Sequence, residues 1–160
     1  MAERWFLKID GVDGESTHAE HRNEIDVQSW SLGVTQSGSS GGSGGGTGKA
    51  SFRDFHFVSG ISKASPALFL ACASGSHISS ATLTGVRGAG RGKSAEFLTI
   101  VMSDLIVSSF SPGDSEDGQP VQAVDLSFNK IEWTAHPTSS SGGPQPPVTV
   151  GWDIKLNQKI

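Results

Sequence analysis

Apolar residues alternate with polar ones along most of this chain, at the period of two that marks strands with one buried face. Trp5, Leu7 and Ile9 alternate near the start, and Phe55 and Phe57 do so further on. Near the end Val148, Val150, Trp152, Ile154 and Leu156 share one face, with Thr149, Asp153, Lys155 and Asn157 on the other. That run is predicted to be a half-buried antiparallel strand. From Phe97 to Phe110 the pattern is apolar on both faces, Leu98, Ile100 and Met102 lying opposite Phe97, Thr99 and Val101, which predicts a central strand. A further strand is expected from Ser51 to Val58.

Two runs change phase. Ile25 and Val27 are apolar at odd positions, but after Gln28 and Ser29 the apolar set becomes Trp30, Leu32 and Val34. Val124, Leu126 and Phe128 likewise give way to Ile131 and Trp133. A parity flip inside a long strand implies a bulge, or a strand that leaves one sheet and joins another at the corner of a small barrel. The fold class expected is therefore mainly β, a single antiparallel β-barrel of two sheets with long exposed loops.

One segment breaks the alternation. Ser65-Pro66-Ala67-Leu68-Phe69-Leu70-Ala71-Cys72-Ala73-Ser74-Gly75 has a Ser to cap, a Pro for the first helical position and a Gly past the last turn. It predicts one short flanking helix over about residues 65–74, docking through Leu68, Phe69 and Cys72.

Composition narrows the function classes. A chain of 160 residues suits one domain, and we read residues 1–160 as a single domain with no linker and no C-terminal extension. Its formal charge of −4 gives no whole-protein field for phosphate binding, so nucleic acid is not an expected partner. The single thiol, Cys72, excludes an intrachain disulfide and the usual zinc frameworks, and with no basic neighbour in sequence it reads as an inert core residue. No run approaches 18 apolar residues, so membrane insertion is not expected, and the start lacks the pattern of a cleaved signal peptide.

The chemical motifs fail on context. Residues Ser37 to Ser51 read SGSSGGSGGGTGKAS, and both Ser40 and Ser43 sit in formal matches to the G-x-S-x-G hydrolase turn. That turn needs a helix after the serine, and here a strand pattern follows. Gly48-Lys49 resembles the end of a phosphate loop, but Ser43 stands where its first Gly belongs and Ala50 replaces the magnesium-binding hydroxyl. Gly88 to Ser94 is one residue short of the same motif and again leads into a strand, so Arg87, Arg91 and Lys93 read as a basic loop of solvated charges. His18-Ala19-Glu20-His21 could ligate a metal, yet nothing helical places the two histidines on one face, and a polar loop leading to Glu24 explains the same letters. No catalytic residue, cofactor or metal is expected, and the chain is not read as an enzyme.

Several segments in order carry a resemblance. They are Phe6-Leu7-Lys8-Ile9 leading to Val12-Asp13-Gly14-Glu15-Ser16; Glu24-Ile25-Asp26-Val27 with Ser29-Trp30-Ser31; Gln36-Ser37-Gly38; Ser65-Pro66 and the helix ending Ala71-Cys72-Ala73-Ser74-Gly75; Leu105-Ile106-Val107-Ser108-Ser109; Leu126-Ser127-Phe128; and Gly151-Trp152-Asp153-Ile154. Over nearly the full chain their order and spacing resemble the Hcp family, the haemolysin-coregulated proteins that form the tube of type VI secretion systems.

The resemblance implies a barrel that assembles into a homohexameric ring with a wide lumen. Rings stack into a tube, within a contractile sheath and on a baseplate, capped by a spike protein, and small effector proteins travel in the lumen. The subunit is then assembled in the bacterial cytoplasm and secreted without a cleaved signal peptide, a part of virulence machinery. The competing reading is a ring-forming chaperone or binding module that holds effectors without building tubes. Ser29 and Ser31, opposite Trp30 and Leu32, become candidates for the lumen lining. The loops Gly85 to Lys93 and Pro137 to Pro147 depart from what the family leads one to expect.

In tube-forming relatives the loop matching Gly38 to Gly48 reaches from one ring toward the next. Gly38, Gly41, Gly42, Gly44, Gly45, Gly46 and Gly48 are therefore expected to make the stacking contacts, glycine letting the backbone itself take part. Deleting Gly41 to Gly46 should leave rings that no longer form tubes in electron micrographs; tubes persisting after the deletion would remove that role.

Overall fold

A computed structural model describes residues 3–38, 48–88, 95–138 and 142–160. Strands β1 (Glu3–Ile9), β2 (Ile25–Ser31), β3 (Val34–Gln36), β4 (Ala50–Phe52) and β5 (Phe55–Gly60) precede helix α1 (Ala64–Ser74). Strands β6 (Ile78–Arg87), β7 (Ala95–Asp114), β8 (Pro120–Ala135), β9 (Val148–Asp153) and β10 (Gln158–Lys159) follow it. The order β8-β5-β2-β1-β6-β7 closes on itself because β7 also pairs with β8, giving a six-stranded antiparallel barrel. Strands β9 and β10 extend the sheet beyond β8, and β3 with β4 forms a second, two-stranded sheet. The mainly β barrel with one short helix is the fold class expected from the pattern.

Inside the barrel Leu7, Phe55, Phe57, Leu83, Ile100, Met102 and Leu126 are sealed from solvent, forming one continuous core. Both phase changes have structural causes. The pairing of β2 with β5 slips between Val27 and Ser29, so a bulge turns Trp30 inward where Val27 had been. Trp30 then packs edge-on to Trp5, ring centroids 5.0 Å apart. Strand β8 pairs with β5 from Val121 to Leu126 but with β9 from Lys130 to Ala135, so it changes neighbours where its parity changes.

The corner between those halves is built by Asp104 and Asn129. Asp104 takes a left-handed backbone conformation, φ 52°, and β7 switches there from burying Ile100 and Met102 to burying Leu105 and Val107. Opposite it, the Asn129 amide donates to the Asp104 carboxylate at 2.7 Å and to its carbonyl at 3.1 Å. Asp and Asn tolerate this backbone region better than other non-glycine residues, which suits them to the corner. Lys155 Nζ at 3.7 Å and His77 Nδ1 at 3.4 Å add positive charge. The Asn129 hydrogen bond, the largest effect, lowers the Asp104 carboxyl from its ordinary value against desolvation, with lesser help from Lys155 and His77.

The helix lies where expected, with its cap shifted. Lys63 is the N-cap residue, and the Ser62 hydroxyl accepts the Ala64 N–H at 3.1 Å. Ser65, predicted as the cap, lies inside the first turn. Its hydroxyl accepts the Ser62 N–H and donates to Gln122 Oε1 at 2.6 Å. Gln122, fully buried in β8, also donates to Ser59 at 2.9 Å. A polar chain across the barrel wall thus took Ser65 away from the capping role. Gly75 ends the helix at φ 66°, where its N–H returns to Cys72. Leu68 docks the helix and Cys72 packs partly against the core, but Phe69 is exposed, its ring reaching only the edge of Phe110. The docking face runs through Ala64, Ala67, Leu68 and Ala71 instead, because small residues let the helix sit close to the wall.

Two strand expectations need correction. The run from Ser51 to Val58 is two strands, broken at Arg53 and Asp54, where the Arg53 N–H turns aside to the Gly33 carbonyl. The C-terminal run stops being a strand at Asp153, and its apolar face is open: Val148, Val150 and Leu156 are each about 60% exposed or more, and only Trp152 and Ile154 are partly covered. Asp153, expected on the solvent side, is buried because its carboxylate accepts the Leu156 N–H at 2.9 Å and so forms the turn into β10. The Phe97–Phe110 run, by contrast, is central as predicted, paired with both β6 and β8.

Two outcomes follow from these contacts. Gln122→Leu leaves the Ser59 and Ser65 hydroxyls without their partner, and should cost about 1–3 kcal/mol in urea unfolding; an unchanged midpoint would dismiss the polar chain. Asp104 ionises more readily folded than unfolded, so its contribution is full at neutral pH and is lost as pH falls below the unfolded carboxylate value of about 4 and through Asp104's own lower value. Asp104→Asn, which keeps a residue suited to the backbone, should flatten the loss of stability between pH 7 and pH 3, and equal slopes for the two proteins would contradict this.

Candidate assembly surfaces

The second sheet stands beside the barrel as a hairpin. Val34 pairs with Phe52, Thr35 with Ser51 and Gln36 with Ala50. Past the strands the Ser37 hydroxyl accepts the Lys49 N–H at 3.1 Å, and the Gln36 side-chain carbonyl accepts the Gly38 N–H at 3.1 Å. A Cβ on Gly48 would land on the Gly38 backbone and on Gln36 Oε1, so the close approach of the two arms requires glycine there. Of the predicted stacking loop, Gly38 and Gly48 are thus at the base of a hairpin. Gly41, Gly42, Gly44, Gly45 and Gly46, with Ser40 and Ser43, lie outside the described residues.

Between this hairpin and the β8–β9 extension runs an apolar groove of about 440 Å³, lined chiefly by Val34, Ala50, Phe52, Trp133, Val150 and Trp152. Val34 is 58% exposed and Val150 61% exposed. A second apolar surface lies on the outer face of α1, where Phe69 and Leu70 are 59% and 65% exposed. Phe69 rests on Phe110 of β7, whereas Trp133 in the groove pairs with Ile100 of the same strand. Ten positions of strand, roughly 30 Å at about 3.3 Å each before bends, separate the two surfaces.

The barrel wall is polar where β2, β5 and β8 run side by side. Ser29 and Ser31 are exposed, paired with Val58 and His56, and His56 Nδ1 lies 2.6 Å from the Asp125 carboxylate across the next strand. On the β6–β7 side Arg87 is engaged, lying over the Phe97 ring at 4.3 Å and 3.4 Å from Glu3. Its predicted companions Arg91 and Lys93 lie outside the described residues. The sequence reading assigned the β9 face to the core and so missed the groove. Its signal was the position of that run, after the last long strand, where the sheet extends beyond the closed barrel.

The barrel thus leaves two separate apolar surfaces open, one at the groove and one on the outer face of α1. Comparison with known proteins places the chain in a family. The profile of the family described as "Type VI secretion system effector, Hcp" matches residues 6–135. Protein hcp1 of Pseudomonas aeruginosa (strain PAO1) is 40% identical over 160 residues, 98% of each chain. The crystal structure of Hcp1 from Salmonella typhimurium matches with a TM-score of 0.81 at 40% identity over 100% of both chains. A type VI secretion system effector from Yersinia pestis matches with a TM-score of 0.75 at 31% identity, covering 94% of this chain and 99% of that one. The chain belongs to the Hcp family. It is a secreted, structural type of type VI secretion protein, and among the described residues no helix is long and apolar enough to cross a membrane.

Proposed function

We propose that this protein is the tube subunit of its secretion system, forming six-membered rings that stack and carry small effectors in their lumen. The observation that carries the reading is the pair of open apolar surfaces on a member of this family. A groove at one end of the barrel and a convex aromatic and leucine patch at the other are unlike surfaces, as a head-to-tail contact requires. Such contacts close into a ring when the rotation between neighbours allows. The groove's apolar lining supplies the driving force, since each Å² removed from water contributes roughly 25 cal/mol.

In this reading Ser29, Ser31, His56 and Asp125 form the wall that faces the lumen. Hydroxyls and a balanced His–Asp pair keep that surface wet and without a large net charge, so cargo is held loosely and can be released. The segment between Gly38 and Gly48 makes the contacts with the next ring. Spike, sheath and baseplate meet the finished tube, assembly takes place in the cytoplasm before export, and the subunit itself catalyses nothing.

Sedimentation velocity should find rings at micromolar concentration in the unaltered protein. Val150→Asp, which places a charge in the groove without touching the barrel core, should shift the population to smaller species while leaving the thermal midpoint of the barrel within a few degrees. A strictly monomeric protein across a wide concentration range would overturn the proposal.

A further inference from the structure

Phe6 is fully buried although it lies on the face of β1 opposite Leu7 and Ile9. It is covered by the turn that precedes β2, where His21 stacks on the Phe6 ring, centroids 4.7 Å apart and planes 5° from parallel. His21 is 5% exposed. Its Nδ1 lies 3.1 Å from both carboxylate oxygens of Glu24, which fixes that nitrogen as the donor. Its Nε2 is buried and has no hydrogen-bond partner, although Glu96 Oε1, from the start of β7, lies 3.4 Å away. The ring, oriented by Glu24, therefore points its second nitrogen toward a carboxylate. A proton on Nε2 would not satisfy the contact, because the nitrogen and Glu96 do not meet in hydrogen-bonding geometry. A cation between them would.

The third group is Glu20. One ligand atom each from Glu20, His21 and Glu96 lies within 4.8 Å of the others. Both glutamates are exposed, so modest rotamer changes bring their oxygens to the 2.0–2.2 Å of a zinc bond. Among the described residues no Lys or Arg pairs with Glu20, Glu24 or Glu96, leaving the carboxylates for an ion. A histidine held by a carboxylate on its far nitrogen is the usual arrangement of a metal ligand, since the partner fixes the tautomer and raises basicity.

We propose that Glu20, His21 and Glu96 form a divalent-cation site of the zinc type, with one coordination position open to water. Nitrogen together with carboxylate oxygen favours zinc over magnesium or calcium, which take oxygen sets. The ion clips the turn before β2 to the start of β7, two segments whose strands are not hydrogen-bonded neighbours in the barrel wall. From sequence, nothing helical puts His18 and His21 on one face and no Cys is nearby, so His18-Ala19-Glu20-His21 reads as a polar loop. The fold brings Glu96 instead, 75 positions away, and the His18 Nδ1 is already accepting the Glu20 backbone N–H at 3.3 Å.

Tag-free, chelator-treated protein titrated with zinc chloride by calorimetry should bind one ion per chain, with no comparable uptake of magnesium. Glu20→Gln and Glu96→Gln, both at exposed positions, should each weaken zinc binding at least tenfold, with melting temperatures in the absence of zinc unchanged. A third variant, His56→Gln, should bind as the unaltered protein does. Absence of zinc uptake, or uptake unaffected by either glutamate change, would overturn the site. Neither outcome bears on ring formation, which sedimentation reads separately.

Discussion

A barrel this small closes only if its long strands change face partway along, and β7 and β8 do so together at Asp104 and Asn129. The register between them is kept through the corner, Ser103 opposite Lys130 and Leu105 opposite Phe128, while the buried parity of each strand inverts. One left-handed residue and one side-chain amide therefore let β8 serve β5 along its first half and β9 along its second. If either strand ran straight through, half of its apolar set would point at solvent. The Asn129 hydrogen bond, and after it Lys155 and His77, favour the Asp104 charge, so the geometry of the closure and its electrostatics reinforce each other.

That closure also leaves an apolar surface uncovered. Beyond the corner β8 carries β9 away from the barrel, and the hairpin of β3 and β4 faces it across a groove. Apolar residues there are not an error of folding. They are the part of the strand pattern that one barrel has no room to bury, and in the proposed ring a neighbouring subunit covers them. The helix at the other end behaves similarly. Its small residues fit the wall, and its two largest side chains are left outside.

Polar groups divide along the same line between holding the barrel and leaving it accessible. Gln122, Ser59 and Ser65 form a buried chain in which each member has a partner, tying the helix to β5 and β8. His21 is the counterexample, a buried ring with one nitrogen satisfied by Glu24 and the other turned to Glu96 without a hydrogen bond. The first arrangement is complete within the chain; the second is complete only with something added.

Much of this was legible in the sequence because period-two alternation and its interruptions are local. The bulge after Val27, the switch after Phe128, the central run from Phe97 to Phe110 and the helix ended by Gly75 are all written in consecutive letters. So was family membership, carried by the order of short segments. The sequence could not say which face of an alternating strand is covered, since Val150 and Ile100 read alike until neighbours are assigned. It misplaced the helix cap because Ser65 found a partner 57 residues on, and it missed the Glu20, His21 and Glu96 cluster because two of its ligands share a turn while the third comes from a distant strand. Alternation and capping are decided by neighbours along the chain, whereas burial, groove and ligand cluster are decided by closure of the barrel, which brings together residues that no local pattern relates.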